Sequence, residues 1–136
     1  MTDEPRPRFT ARPRAERDDT ERSRERLLDE VTRLRLRFER ARRDGREAFA
    51  DADSDAYDIG MLAVIHLADL VARQLPASVA AELPEVAREG LRATRNLAAH
   101  NYAALDNLRL WATVSTHAPA LLDAIEAALQ ALSPES

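Results

Sequence analysis

The feature that most constrains this fold is an apolar stripe that runs through a charged stretch in the first third of the chain. Its apolar and small members alternate in steps of four and three: Leu27, Val31, Leu34, Phe38, Ala41, Gly45 and Ala48. That spacing puts them on one face of an α-helix. A coiled-coil seam has the same pattern, but three heptads is a marginal length for one. The stripe therefore predicts a bundle helix that ends near Asp44 and Gly45.

Cap and breaker residues predict the other helices. Ser54 suits the N-cap of a helix from about Asp55 to Gln74, which is apolar nearly all the way round and is therefore expected to be the central one. Pro76 ends that helix. Later helices are expected at 77–83, 84–99 and 106–129, the last with a kink or break between His117 and Pro119. These elements, with few aromatics and short connections, predict an all-α, up-and-down bundle of four to five helices.

Residues 1–19 differ from the rest, because three prolines and many charges leave them little apolar surface to bury. We expect a disordered, Arg-rich arm there, followed by one helical domain at 20–132 with Thr20 as its first N-cap. Residues 1–46 hold 15 Arg against 11 acidic residues, whereas 47–136 hold 5 Arg against 13. A nucleic-acid-facing arm has such a bias. A salt-bridged, solvated helix face is favoured, because acidic residues alternate with the Arg.

The sequence argues against membrane insertion, secretion and metal chemistry. It has no window of 18 uncharged apolar residues and no apolar stretch near its start, so we expect a cytoplasmic protein without a membrane partner. It has no Cys and three scattered His, and the acidic residues at 51–58 lack the pattern of an EF-hand, so no metal site or cofactor is predicted. His66 is expected in the core or an interface with a satisfied hydrogen bond, His117 at the surface or a cap, and Trp111 in the core.

Four chemically capable side chains stand within eight residues near the predicted end of a helix: Arg95, Asn96, His100 and Tyr102. Residues five apart lie about 140° from each other on a helix, so Arg95 and His100 converge only if the helix ends between them. Asn101 suits the left-handed position that ends a helix. One interpretation is structural, in which Arg95 and His100 neutralise the negative end of the helix dipole.

The other interpretation is a phosphate site. Arg95 would hold a phosphate through its planar fork of donors, and His100 would move protons to and from a reacting ribose hydroxyl. One Arg and one His are sparse for RNA cleavage, and a second copy across a dimer axis would double them.

The pattern Arg95-Asn96, three residues, His100, one residue, Tyr102 resembles the R-x4-H-x-Y motif of HepT-like toxin ribonucleases in the HEPN superfamily. Leu110–Val114 and Pro119–Leu122 are also similar to that family's last helix, so the resemblance covers roughly Leu27 to Ile125. It implies an all-α homodimer with metal-independent endoribonuclease activity, in which Arg95 and His100 are catalytic and Asn96 helps to shape the site. It also implies a nucleotidyltransferase-fold antitoxin that neutralises the toxin by adding AMP to Tyr102.

Two alternatives remain open from the residues themselves. The chain could be a catalytically silent HEPN module that binds a nucleotide or a nucleotidyltransferase partner, or a structural helical dimer in which the motif caps a helix. Tyr102 would then be a packing aromatic with a hydrated hydroxyl. Leu97, Ala98 and Ala99 add no polar groups to the motif, so any base specificity must come from elsewhere in the chain.

Overall fold

The computed structural model of this chain describes residues 14–51, 53–99 and 107–132, and within these ranges all regular secondary structure is helical. The α-helices are α1 (Arg14–Arg42), α2 (Gly45–Ala50), α3 (Asp55–Asp69), α4 (Ala77–Glu82), α5 (Glu85–Ala99), α6 (Asn107–Ala112) and α7 (Ala118–Ala131). Two π-helical segments extend them: Leu70–Gln74 continues α3, and Thr113–His117 joins α6 to α7. The predicted all-α bundle is confirmed.

The predicted stripe is the buried face of α1. Leu27, Val31, Leu34, Phe38 and Ala41 are each at most 3% exposed, because their spacing keeps them on the side that packs against α3 and α7. The helix ends at Arg42, as predicted. Gly45 follows with a φ of +87°, a left-handed conformation that glycine adopts at low cost and that turns the chain into α2.

The start of α1 differs from the prediction. The helix begins at Arg14, so Thr20 lies inside it and is not its N-cap. Arg and Glu are strong helix formers, and pairs such as Arg22 with Asp19, at 3.0 Å, support the helix through this charged stretch. The remainder of the predicted arm, 1–13, lies outside the described residues.

The central helix α3 begins at the predicted cap. The Ser54 hydroxyl accepts a hydrogen bond from the backbone N–H of Tyr57 at 3.1 Å. The helix packs against both α1 and α5, and the chain stays helical to Gln74 as predicted. Burial does not extend all the way round, however, because Leu62 is 52% exposed.

A cluster of aromatic rings joins α2, α3 and α6. Phe49 is fully buried, with its ring centroid 5.7 Å from that of Tyr57 and 5.3 Å from that of Trp111. Trp111 is partly buried, so the prediction of a core residue holds only in part. Gly60 faces Phe49 so closely that a Cβ atom there would lie 2.7 Å from Phe49 Cε2. The absence of a side chain at Gly60 is therefore what lets α3 approach this cluster.

The kink or break predicted between His117 and Pro119 does not interrupt the helix: a π-helical segment ends at His117 and α7 follows directly from Ala118. Proline lacks an N–H and its ring clashes with the carbonyl four residues earlier, which here belongs to Ser115. That carbonyl instead accepts a long hydrogen bond of 3.4 Å from Arg42 on α1. His117, at the end of the segment, is exposed as predicted. In the ranges that the structure describes, no helix combines the length and apolar character needed to cross a bilayer.

Candidate active site

Helix α5 carries the first half of the motif on its last turns. The helix begins directly after Pro84 and packs on α3, and its Leu91 and Thr94 are 6% and 4% exposed. The Thr94 hydroxyl donates to the carbonyl of Gly90 at 2.8 Å. This anchoring leaves the next two residues at the surface, with Arg95 half-buried and Asn96 exposed.

Asn96 is the hydrogen-bond partner of Arg95. Arg95 Nη1 donates to Asn96 Oδ1 over a long distance of 3.5 Å. Among the side chains that the structure describes, no carboxylate lies within 4.0 Å of the Arg95 guanidinium. A guanidinium with donors to spare at a partly desolvated position is suited to bind a phosphate or carboxylate.

The second half of the predicted site, His100 and Tyr102, lies outside the described residues, as does the predicted helix terminator Asn101. Helix α5 stays helical through Ala99, so four helical residues follow Arg95. The convergence of Arg95 with His100 therefore stays a prediction.

A cleft of about 540 Å³ separates α5 from α6 and α7, and it includes Thr94, the neighbour of Arg95. Most of its lining is small and apolar: Pro84, Val86, Ala87, Gly90, Leu91, Ala93, Ala112, Ala118, Ala120, Leu121 and Ala124. Its polar members are Thr94, Arg109, Thr113 and His117. Sequence reasoning missed this cleft. The available signal was the run of small residues at a spacing of three on α5, Ala87, Gly90 and Ala93.

The two histidines in the described ranges lie in different surroundings. His66 on α3 is half-buried, and its Nδ1 lies 2.7 Å from Nη1 of Arg37 on α1. The predicted satisfied interface histidine is thereby confirmed. His117 is exposed at the cleft.

In residues 14–51, 53–99 and 107–132, no three of His, Asp or Glu come together as metal ligands would. An acidic residue between α2 and α3 instead stabilises the local backbone: Asp51 Oδ1 accepts a hydrogen bond from the backbone N–H of Asp53 at 3.0 Å.

The fold and the Arg95–Asn96 helix end define a class of all-α protein with a candidate anion-binding site beside a cleft. Residues 27–128, well over half of the chain, match the sequence model of the family described as ribonuclease HepT-like. The chain therefore belongs to the HepT-like ribonuclease family, whose activity is RNA cleavage, and the resemblance seen in the motif is confirmed at the level of the family. No curated protein and no solved structure gives a significant match to it.

Proposed function

We propose that this protein is a metal-independent endoribonuclease toxin that acts in the cytoplasm as a homodimer. The observation that carries the proposal is the half-buried Arg95 guanidinium, which has Asn96 as its only described side-chain partner, in a chain of the HepT-like ribonuclease family. A cation at that position has its donors available for the phosphate of an RNA substrate.

The proposed reaction is transfer of the phosphate to the neighbouring ribose hydroxyl. His100 removes the proton from the 2′-hydroxyl, whose oxygen forms a bond to phosphorus as the bond to the 5′-oxygen breaks. His100 then delivers a proton to the leaving 5′-oxygen, which leaves a 2′,3′-cyclic phosphate and a 5′-hydroxyl end. Arg95 stabilises the charge that develops on the phosphoryl oxygens, and Asn96 positions Arg95. The substrate supplies the nucleophile, so the protein contributes orientation, a base and a cation.

Two features of the proposal rest on the family resemblance. The motifs of two protomers meet at the dimer interface, and this doubles the number of catalytic groups, which are few in a single chain. A nucleotidyltransferase-fold antitoxin neutralises the toxin by adding AMP to Tyr102, which stands two residues after His100.

The experiment compares the purified wild type with Arg95→Ala and His100→Ala on single-stranded RNA in the presence of EDTA. The matched control is Arg92→Ala, which removes an exposed Arg from the same helix one turn earlier. We expect the wild type to produce 2′,3′-cyclic phosphate ends, both active-site variants to lose at least about 100-fold in rate, and the control to lose less than about threefold. RNA left intact by the wild type, or Ala variants as active and as toxic in cells as the wild type, would contradict the proposal. Equilibrium RNA binding without turnover would identify the silent binding module instead.

A further inference from the structure

The cleft between α5 and the α6–α7 arm offers the base-recognition site that the motif itself lacks. We propose that it binds one unpaired nucleotide of the RNA substrate next to the scissile phosphate, and this inference rests on the proposed ribonuclease function. Thr94 lines the cleft and Arg95 follows it on the same helix, although Arg95 itself is not among the lining residues. A phosphate held at Arg95 would therefore lie beside the cleft, and the neighbouring nucleotide of the strand would extend from it into the cleft.

The size and walls of the cleft suit a nucleoside. A volume of about 540 Å³ lies within the usual range for small-molecule sites, roughly 300–1,000 Å³. Ala87, Gly90 and Ala93 on α5 face Ala112 and Ala120 across the cleft, so both walls are built from small residues. A Cβ atom added at Gly90 would meet no atom within 4 Å. Apolar walls of this kind accept the flat faces of a base that has left its stack.

Two buried hydroxyl groups in the lining act as hydrogen-bond acceptors. Thr94 donates its hydroxyl hydrogen to the Gly90 carbonyl at 2.8 Å, and Thr113 donates its own to the Arg109 carbonyl at 3.1 Å. With each hydrogen engaged, the oxygen can only accept from a ligand. An exocyclic amino group supplies two hydrogens, and adenine, cytosine and guanine each carry one. Uracil has none, and its single N3–H lies between two carbonyls, so two acceptors favour the amino-bearing bases.

The charge of the lining also fits a nucleic acid. Arg109 and His117 are both exposed at the cleft, and no acidic side chain is among the described residues that line it. The Arg109 guanidinium is therefore able to contact a phosphate on the side of the nucleotide away from Arg95. An unpaired strand is the form of RNA whose bases can be inserted in this way.

The test introduces a larger side chain into the cleft and compares this variant with one that carries the same substitution outside the cleft. Ala120→Leu places a larger side chain in the cleft, whereas Ala127→Leu makes the same change at an exposed position of α7 that does not line it. Gly90→Leu is a second cleft-filling variant, chosen because the space around its Cβ is open. The probes are single-stranded RNA for kcat and KM, and 2′-O-methyl pentanucleotides of A, C, G and U, which lack the attacking hydroxyl, for equilibrium binding.

We expect Ala120→Leu and Gly90→Leu to raise KM, and the Kd for the pentanucleotides, by about tenfold while kcat changes less than about threefold. Ala127→Leu should behave as the wild type. Thr94→Val should remove most of the preference for A, C and G over U, because it replaces the accepting oxygen with a methyl group. Arg109→Ala should weaken binding of all four pentanucleotides alike.

Other outcomes separate this inference from the proposed function. If the wild type cleaves RNA and the cleft-filling variants keep its KM and base preference, the cleft assignment is wrong and the ribonuclease stands. If Ala120→Leu and Gly90→Leu instead dissociate the protein into monomers in light scattering, the cleft is an interface between copies and the assignment is wrong. If the wild type binds the pentanucleotides in the cleft but cuts no RNA, the cleft assignment is supported and the proposed function fails.

Discussion

Arg37 on α1 donates a hydrogen bond from Nη1 to Nδ1 of His66 on α3, with 2.7 Å between the two nitrogen atoms. A guanidinium carries only donors, so Nδ1 is the acceptor and the proton of the neutral imidazole lies on Nε2. Both side chains are half-buried at the seam between two helices that form much of the core. The bond therefore ties the charged surface of α1 to the central helix.

A double-mutant cycle on this pair measures what the bond contributes. Arg37→Ala and His66→Ala should each lower the free energy of unfolding by about 1 kcal/mol, and the two effects should be less than additive by a similar amount. Urea unfolding of the four proteins gives the coupling energy. Additive effects would show that the bond contributes no stability. Neither variant should change RNA cleavage.

Gly60 and Gly90 should respond in opposite directions to replacement by alanine. A Cβ at Gly60 would lie 2.7 Å from Phe49 Cε2 and 3.1 Å from Val114 Cγ2, and Phe49 is held between the rings of Tyr57 and Trp111. The cost of overpacking, about 1–3 kcal/mol, should exceed the gain in helix propensity of about 1 kcal/mol.

Gly90 is the matched control, because it lies inside α5 with open space around its Cβ position. Gly90→Ala should raise the free energy of unfolding by about 0.5–1 kcal/mol. Thermal unfolding of the two variants compares them directly. A stabilised Gly60→Ala protein would mean that the Phe49 cluster yields to the added methyl group.

Arg35 holds α1 against α7 through ion pairs with Asp123 and Glu126. The hydrogen bond to Asp123, helped by the pair with Glu126 and opposed by desolvation, raises the pKa of the Arg35 guanidinium above its ordinary value. A basic group whose pKa is higher in the folded protein than in the unfolded one contributes stability at every pH below its unfolded pKa, and this contribution is lost as the pH rises through the folded pKa. Both pKa values of Arg35 lie far above neutrality, so its contribution to stability should not vary with pH near 7 through its own titration.

Arg35→Met should lower the free energy of unfolding by about 1 kcal/mol at low ionic strength and by less in 1 M salt, because the pair is partly exposed and is screened. Arg33→Met is the control, because Arg33 pairs with Glu30 on its own helix and its side chain is 63% exposed. That variant should change stability by less than about 0.5 kcal/mol. Equal losses would show that linking two helices gives Arg35 no additional effect.

Features of the fold that depend only on residues close together in the sequence could be predicted from the sequence. The Ser54 cap needs only a hydroxyl and the N–H of Tyr57, and the irregular helix before Pro119 needs only the missing N–H of proline. The start of α1 was missed because a capping residue such as Thr20 does not end a helix that strong formers continue on both sides.

Features that depend on how helices pack could not be predicted in this way. The π-helical form of Leu70–Gln74 carries no sequence signal comparable to a proline. The exposure of Leu62 shows that α3, although its sequence is apolar on nearly every side, has one side that no other helix covers. The cleft depends on the distance between α5 and α7, which the small residues of α5 permit but do not specify. Of the candidate site, Arg95 and Asn96 lie on the predicted helix. The roles of these two residues and of His100 and Tyr102 all stay predictions.

The salt dependence of RNA affinity tests the proposed phosphate contact of Arg95. Each phosphate contact releases counterions, so the logarithm of the binding constant should fall linearly with the logarithm of the salt concentration. Arg95→Gln should reduce the magnitude of that slope by about 1 for a single-stranded 2′-O-methyl RNA. Titrations between 50 and 200 mM salt, roughly the range over which such slopes are resolved, give the measurement. An unchanged slope would place Arg95 away from the phosphate.

Addition of AMP to Tyr102 can be tested with a control in the same chain, because the sequence has only two tyrosines. Tyr102→Phe removes the hydroxyl that would accept AMP while keeping the ring. The variant should therefore cleave RNA, gain no AMP in intact-mass spectrometry, and stay toxic when a nucleotidyltransferase-fold antitoxin is co-expressed. Tyr57→Phe should still be modified, because Tyr57 is 9% exposed and packs on Phe49. AMP on Tyr57, or neutralisation of the Tyr102→Phe toxin as effective as that of the wild type, would contradict the prediction, since the hydroxyl of Tyr102 would then not be the acceptor.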